Sequence, residues 1–269
     1  MENAGTLYIV ATPIGNLGDM TLRAIETLKN VDIIACEDTR VTGKLLELFG
    51  FKKPLVSYFQ HSALSKIEYI ISELQSGKNI ALTTDAGTPG ISDPGQQLIA
   101  QIRRHSEFIS ESHGIPKQAQ ILKQVQDDTK VSVQDEKAGD LNDASIKIIP
   151  IPGVSALTAA ASVSGMIEKE FYFAGFLPKK KGRQTKFRAL NLLDCPVVIY
   201  ESANRLERTL GDIKTYFGAG SEVFIAREIT KMFEEYWGGS VDEVMAGLST
   251  HQMKGEIVLV VKRQAIPKS

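Results

Sequence analysis

The amino-acid sequence predicts two α/β domains, an N-terminal one on a parallel sheet and a C-terminal one on a mixed sheet, and three features carry the prediction. Short β-branched runs alternate with amphipathic stretches up to residue 152, the pattern of a parallel sheet covered on both faces by helices. Beyond that point the rhythm loosens, and strand-like runs also follow one another by hairpin turns, as in a mixed sheet. A chain of 269 residues is long enough for two ordinary domains that each bury a core.

"TLYIVAT" (6–12) reads as the first strand because β-branched and aromatic residues dominate it. A helical pattern near 21–29 leads to "DIIACE" (32–37), a second near 40–49 to "PLVSYF" (54–59), and a third over 62–76 to "NIALTTD" (79–85). A helix over 94–104 begins at Pro94 with Asp93 placed to cap it, and "IKIIPIP" (146–152) follows as a strand. In "PIPGVSA" (150–156), Pro152 and Gly153 stop that strand and Ser155 can cap the next helix, so the domains are drawn as 1–151 and 152–269. The second domain reads as helix 155–164, strand "FYFAGFL" (171–177), helix 183–193, strand "PVVIYES" (196–202), helix 204–216 and strand "EVFIARE" (222–228). "EEYWGGS" (234–240) is a hairpin partner in which alternation turns one of Tyr236 and Trp237 inward. A short helix 241–248 and the strand "EIVLVVKR" (256–263) complete the pattern. Between helix 94–104 and strand 146–152, the polar stretch of about 105–142 has no sustained period; it is expected to be an inserted mobile loop, with one weak helical stretch around 117–126.

With 43% hydrophobic residues, 23% charged residues and a net charge of −1, the composition is that of an ordinary globular protein and excludes wholesale disorder. A nucleic-acid partner therefore needs a local basic patch. Cys36 and Cys195 each lie in an apolar run and read as buried thiols. No run approaches the roughly 18 apolar residues of a membrane span, and "MENAGTLYIV" lacks the layout of a signal peptide, so a cytoplasmic location with no membrane partner is expected.

The polar, glycine-rich segments "ATPIGNLGD" (11–19), "CEDTR" (36–40), "DAGTPGISDPG" (85–95) and "PIPGVSA" (150–156) all follow the carboxyl end of an expected strand. In an open parallel sheet that edge is where ligands bind, and glycine lets backbone N–H groups approach them closely. Several ligand classes are excluded. No Walker-type phosphate loop occurs, no G-x-G-x-x-G follows a strand, and "GAGSEV" (218–223) precedes one and reads as a turn. His61, His105, His113 and His251 are scattered, so no metal site is expected, and no G-x-S-x-G elbow is present.

"TPIGNLGD", "EDTR", "DAGTPGISDPG", "PGVSA", "FAGFLP", "YESANRL", "AREITK" and "KGEIVLVV" occur in an order and spacing that resemble the ribosomal RNA small-subunit methyltransferase I family of the tetrapyrrole-methylase-like superfamily. The resemblance covers most of residues 6 to 263 outside the insertion, which is foreign to the family, as is Val154 in place of the usual proline. Many members also continue into a helical segment beyond the last strand. The resemblance implies a fold of the tetrapyrrole methylase type, with S-adenosylmethionine in a cleft between the domains. It further implies a homodimer that methylates the 2′-hydroxyl of a cytidine in the decoding region of small-subunit ribosomal RNA.

On that reading Pro13, Gly15, Asp85, Gly87, Thr88, Pro89, Pro152, Ser155, Ala156 and Gly255 shape the cofactor site, although glycines and prolines in such loops also serve turn geometry. A ribose hydroxyl gains from a base, for which Glu37, Asp38, Glu201 and Glu228 with Lys231 are candidates that the sequence does not separate. Arg40, Arg205 and Arg227 suit phosphate, and Lys179, Lys180, Lys181, Arg183, Lys186 and Arg188 form the concentrated basic run expected to contact RNA. Two other functions stay open: methylation of a porphyrin-like ring, and RNA or ribosome binding without turnover.

Overall fold

The computed structural model describes residues 4–59, 64–112 and 145–264, with the backbone alone over 105–112. The chain divides into two compact units, one formed by the residues up to Val10 and Leu22–Pro152, the other by Ala11–Thr21 and the residues from Gly153 onward.

The first unit carries β1 (Thr6–Val10), β2 (Ile33–Cys36), β3 (Leu55–Ser57), β4 (Ile80–Thr83) and β5 (Lys147–Ile151), all parallel, in the order β3-β2-β4-β1-β5. Every residue of β2 and β4 is buried, which is why "IIAC" and "IALT" are continuous apolar runs rather than alternating ones. Pro150 sits in β5 opposite Ile9, at the sheet edge, where a residue without an N–H is tolerated. The helices are α1 (Leu22–Asn30), α2 (Thr39–Leu48), α3 (Leu64–Gln75) and α4 (Gln96–Ser112). Ile67, Ile70, Ile71 and Leu74 recur at helical spacing along α3 and join Leu98 and Ile102 of α4 against Leu7, Ile9, Ile33, Ile80 and Leu82 of the sheet.

Helix α4 departs from expectation at both ends. It begins at Gln96 directly after Gly95, whose φ is 144°, so Asp93 is not the residue that precedes the helix. It also continues from His105 through Ser112, into the stretch expected as a loop, because extending an existing helix needs no new nucleus. The rest of the expected insertion, including the weak helical stretch, lies outside the described residues.

The second unit carries β6 (Tyr172–Phe176), β7 (Val197–Ser202), β8 (Glu222–Arg227), β9 (Glu235–Ser240) and β10 (Glu256–Lys262) in the order β6-β7-β10-β8-β9. Only β6 and β7 run parallel, so the sheet is mixed. Its helices are α5 (Ala156–Val163), α6 (Arg183–Leu190), α7 (Ala203–Phe217) and α8 (Val241–Gly247). Alternation along β7 and β10 sends Val197, Ile199, Ile257 and Leu259 toward Phe187, Leu206, Leu210 and Ile213, while Val198, Val258 and Val260 face Ala160 and Ile14. The packing of half-buried Ile14 there explains why the segment after β1 belongs with this unit.

Two local expectations are refined. Trp237 turns toward the core and stacks on His251 with ring centroids 4.1 Å apart, leaving Tyr236 half-exposed against Phe224. Ser155 holds the extended backbone of a helix N-cap, but its side chain makes no capping hydrogen bond. Cys36 is buried and Cys195 half-buried, and neither is in a disulfide.

Candidate functional site

In the first unit, β4 lies between β2 and β1, which places the loops after β2 and β4 side by side at the carboxyl edge. The Asp38 backbone N–H donates to Asp85 Oδ1 at 3.1 Å and joins those loops. Asp38 caps α2 by accepting from the Arg40 N–H at 2.8 Å. The Arg40 guanidinium folds back on the same carboxylate, with Nε 3.0 Å from Oδ1 and Nη2 2.5 Å from Oδ2.

These contacts separate the acids. Hydrogen bonds from the Arg40 side chain and backbone hold Asp38 down at about 2. Partial burial, with Asp38 nearby, pushes Asp85 up. Glu37 is raised as well, first by burial and then by the charges of Asp85 and Asp38, although the Asp85 backbone N–H pulls it the other way. Three acids thus share a strand-end cluster with one arginine. In the loop that follows, Gly87 has φ 83° and is buried together with Pro89, while Thr88 is half-buried. The Thr83 hydroxyl, at the end of β4, is buried without a hydrogen-bond partner. Pro152 is exposed at the end of β5.

The second unit gathers Gly15, Glu228, Lys231 and Gly255. Lys231 Nζ lies 2.9 Å from Glu228 Oε1 and 2.9 Å from Glu256 Oε2. The Glu256 N–H donates to Glu228 Oε1 at 2.9 Å. Burial opposes the charge on Glu228, but Lys231 and that N–H outweigh it and leave the carboxyl below its ordinary range. Lys231 is raised despite burial, because both carboxylates stabilise its ammonium. Glu228 and Thr230 adopt φ of 50° and 68°, conformations that side chains other than glycine rarely hold and that concentrate at functional sites. A Cβ on Gly255 would stand 2.4 Å from the Glu228 carboxylate, and one on Gly15 2.3 Å from Lys231 Cγ, so a side chain at either position would force Glu228 or Lys231 to move. The Thr230 hydroxyl, near Gly15, is buried without a partner. Pro13, Ser155 and Ala156 are half-buried in this unit.

The arginines expected at phosphate are largely engaged within the protein. Only 4% of the Arg183 side chain is exposed; its Nε lies 2.7 Å from Asp212, Nη2 2.8 Å from Thr209 and Nη1 3.2 Å from the Pro178 carbonyl. Arg183 is therefore a buried strut and not an RNA contact. Arg205 pairs with Glu201 at 3.2 Å and donates to the Leu177 carbonyl at 2.8 Å. Glu201 is fully buried between Arg205, the Thr209 hydroxyl and the Ser202 N–H, which removes it as a base. Arg227 is buried against Glu235 at 3.0 Å and the Lys254 carbonyl at 3.2 Å. Lys179, Lys180 and Lys181, by contrast, are exposed on the turn after β6. Reading the sequence missed Thr83 and Thr230, and the signal for Thr83 was a polar "TTD" closing an otherwise apolar buried strand.

The family model of tetrapyrrole (corrin/porphyrin) methylases matches residues 6–111 and 135–245. A protein of Synechocystis sp. named ribosomal RNA small subunit methyltransferase I is 40% identical over 258 residues, covering 96% of this chain and 78% of that one. A Bacillus subtilis protein of the same name is 39% identical, covering 97% of this chain and 76% of its own length. Among solved structures, the methyltransferase CobJ superposes with a TM-score of 0.63 at 15% identity over 99% of this chain and 97% of its own. Uroporphyrin-III C-methyl transferase from Thermus thermophilus, complexed with S-adenyl homocysteine, gives 0.57 at 13% identity, covering 95% of this chain and 97% of its own. At those identities the structures establish the fold.

Proposed function

Because the chain belongs to the tetrapyrrole (corrin/porphyrin) methylase family, and within it to the ribosomal RNA small subunit methyltransferases I, we propose that it transfers a methyl group from S-adenosylmethionine to the 2′-hydroxyl of a cytidine in the decoding region of small-subunit ribosomal RNA. It is an S-adenosylmethionine-dependent methyltransferase of small-subunit ribosomal RNA; the cytidine and its ribose oxygen are the finer part of the proposal, as are a cytoplasmic location and a homodimer.

The residues present fit the cofactor. S-adenosylmethionine is a cation with an ammonium and ribose hydroxyls, and it supplies an electrophilic methyl group when bound. Glu37, Asp38 and Asp85, with a single arginine among them, form a donor set suited to a cation. The unpartnered Thr83 hydroxyl offers a polar contact at the same strand end, and Gly87, at φ 83°, holds a backbone conformation that favours glycine. The residues proposed for the cofactor are Asp85, Gly87, Thr88, Pro89 and Pro152 in the first unit and Pro13, Gly15, Ser155, Ala156 and Gly255 in the second.

The electrostatics favour Glu37 among the candidate bases. A carboxylate held near 2 by Arg40, or lowered by Lys231, is a weak proton acceptor, whereas one raised toward neutrality is better matched to the task. On this reading Glu37 takes the proton of the ribose hydroxyl. Asp38 orients Arg40, whose exposed guanidinium faces RNA phosphate, and Lys231 fixes Glu228 against the turn at Gly255. Lys179, Lys180 and Lys181 supply further phosphate contacts. The observation that carries the reading is the relatedness of nearly the whole chain to proteins of one named activity.

Incubation with undermethylated small ribosomal subunits and S-adenosylmethionine, followed by nucleoside mass analysis, tests it. The expected product is 2′-O-methylcytidine in the RNA. A methyl group on a base or on another ribose refutes the finer assignment, and no methylation of any ribosomal RNA refutes the activity.

A further inference from the structure

Strand β6 is an open edge of the second sheet, paired among the described residues with β7 alone. Phe176, at its end, is 60% exposed, and Phe171 and Tyr172 are also exposed. The Phe176 ring is set by an edge-to-face contact with Tyr200 at 5.6 Å, and the Tyr200 hydroxyl is itself fixed by the Leu157 N–H at 2.9 Å. Lys179, Lys180 and Lys181 follow directly. Their turn is anchored, since Arg205 donates to the Leu177 carbonyl, Arg183 donates to the Pro178 carbonyl, and the Arg183 N–H donates to the Lys180 carbonyl at 3.2 Å. At the other end of the strand, Lys186 Nζ lies 4.9 Å from the Tyr172 ring centroid and 3.1 Å from its hydroxyl.

Exposed aromatic faces interleaved with exposed cations are the chemistry of single-strand nucleic-acid binding, where rings stack on bases and ammonium groups follow the phosphates. We propose that the β6 edge and the turn after it bind single-stranded RNA, with Phe176 stacking on an unpaired base and Lys179, Lys180 and Lys181 on the adjoining phosphates. Arg183 and Arg205 are positioning residues for that turn. This rests on the RNA-methylating function and extends it with a base-stacking surface that the basic run alone does not imply. Charge selects RNA over a second copy of the chain: a self-facing patch would double its positive charge, in a protein whose net charge is only −1.

The test is the affinity of a short fluorescent single-stranded RNA across a salt series, for the wild type, Phe176→Ala, Phe176→Leu and the triple variant of Lys179, Lys180 and Lys181 to Ala. Loss of the ring should weaken binding about tenfold at every salt concentration, as base stacking on an aromatic does. Phe176→Leu keeps an apolar contact for Tyr200 but offers no ring and should lose as much, while Phe176→Tyr restores binding. The triple variant should reduce the slope of log affinity against log salt by about 2, at roughly 0.7 per phosphate contact. Calorimetric titration of S-adenosylmethionine separates the two readings: wild type without cofactor affinity undermines the enzyme, whereas variants that keep cofactor affinity and RNA affinity alike overturn this surface. A change in sedimentation of the variants, with RNA affinity intact, assigns the edge to a second copy instead and likewise overturns it.

Discussion

Glu37, Asp38 and Glu228 are all carboxylates at strand ends, yet their surroundings give them different chemistry. Arg40 keeps Asp38 ionised down to about pH 2, and Lys231 keeps Glu228 ionised below the usual glutamate range, but burial and like charge make ionisation of Glu37 costly. Methyl transfer should therefore fall on the acid side at a pH above that of an ordinary glutamate. Glu37→Gln should lower the rate by about 10²- to 10⁴-fold and abolish that limb, while Asp38→Asn, which can still cap α2, should leave it in place. A pH–rate profile that keeps its acid limb in Glu37→Gln would exclude Glu37 as the base. The Glu228 and Lys231 pair has a stability signature of its own. A lowered carboxyl stabilises the fold above its unfolded-state value and ceases to do so as pH falls through the folded value; a raised ammonium does so below its unfolded-state value until pH rises through the folded one. The pair therefore supports the loop across the whole neutral range. Gly255→Ala forces a side chain onto φ 95° and against Glu228, and should cost about 1–3 kcal/mol in urea unfolding. An unchanged midpoint would show that the loop relaxes freely.

At the scale of elements, the strands and helices were legible because their apolar periodicity is strong. β2 and β4 read as buried runs, and α3 repeats at helical spacing. The partners of those elements were less legible. Asp38 and Asp85 meet only because β4 lies beside β2, a property of strand order that no local pattern encodes. Arg183 was misread within "KKKGRQTKFR" because charge dominates that run. Its register was nonetheless readable, since Arg183, Phe187 and Leu190 share one helical stripe, and all three are buried. Arg183 in that stripe ties α6 to Thr209 of α7, whose hydroxyl donates on to Glu201 of β7. Glu201→Ala removes the buried carboxylate that pairs with Arg205 and accepts from Thr209 and should cost about 3–5 kcal/mol, whereas Lys180→Ala on the exposed turn should change stability by less than about 0.5 kcal/mol. Equal melting temperatures for the two variants would refute the network.

For the whole molecule, the sequence separated two α/β units but could not assign Ala11–Thr21, which follows β1 yet packs with the second unit through Ile14. The family match is interrupted between residues 111 and 135, within the stretch read as an insertion. Replacing residues 113–144 by a linker about a quarter as long should leave cofactor affinity unchanged. A loss of cofactor affinity or of cooperative unfolding would show that the segment is part of the fold. The glycine-rich strand-end loops and their acidic and basic residues stand out in the sequence; that Asp38 meets Asp85 and that Lys231 also meets Glu256 does not, because those partners lie far apart in the chain. The most direct measurement is calorimetric titration of S-adenosylmethionine into the wild type and into Gly87→Trp, with circular dichroism to establish that both are folded. One cofactor bound per chain by the wild type and none by the variant is the predicted result; a folded wild type that takes up no cofactor would contradict the account.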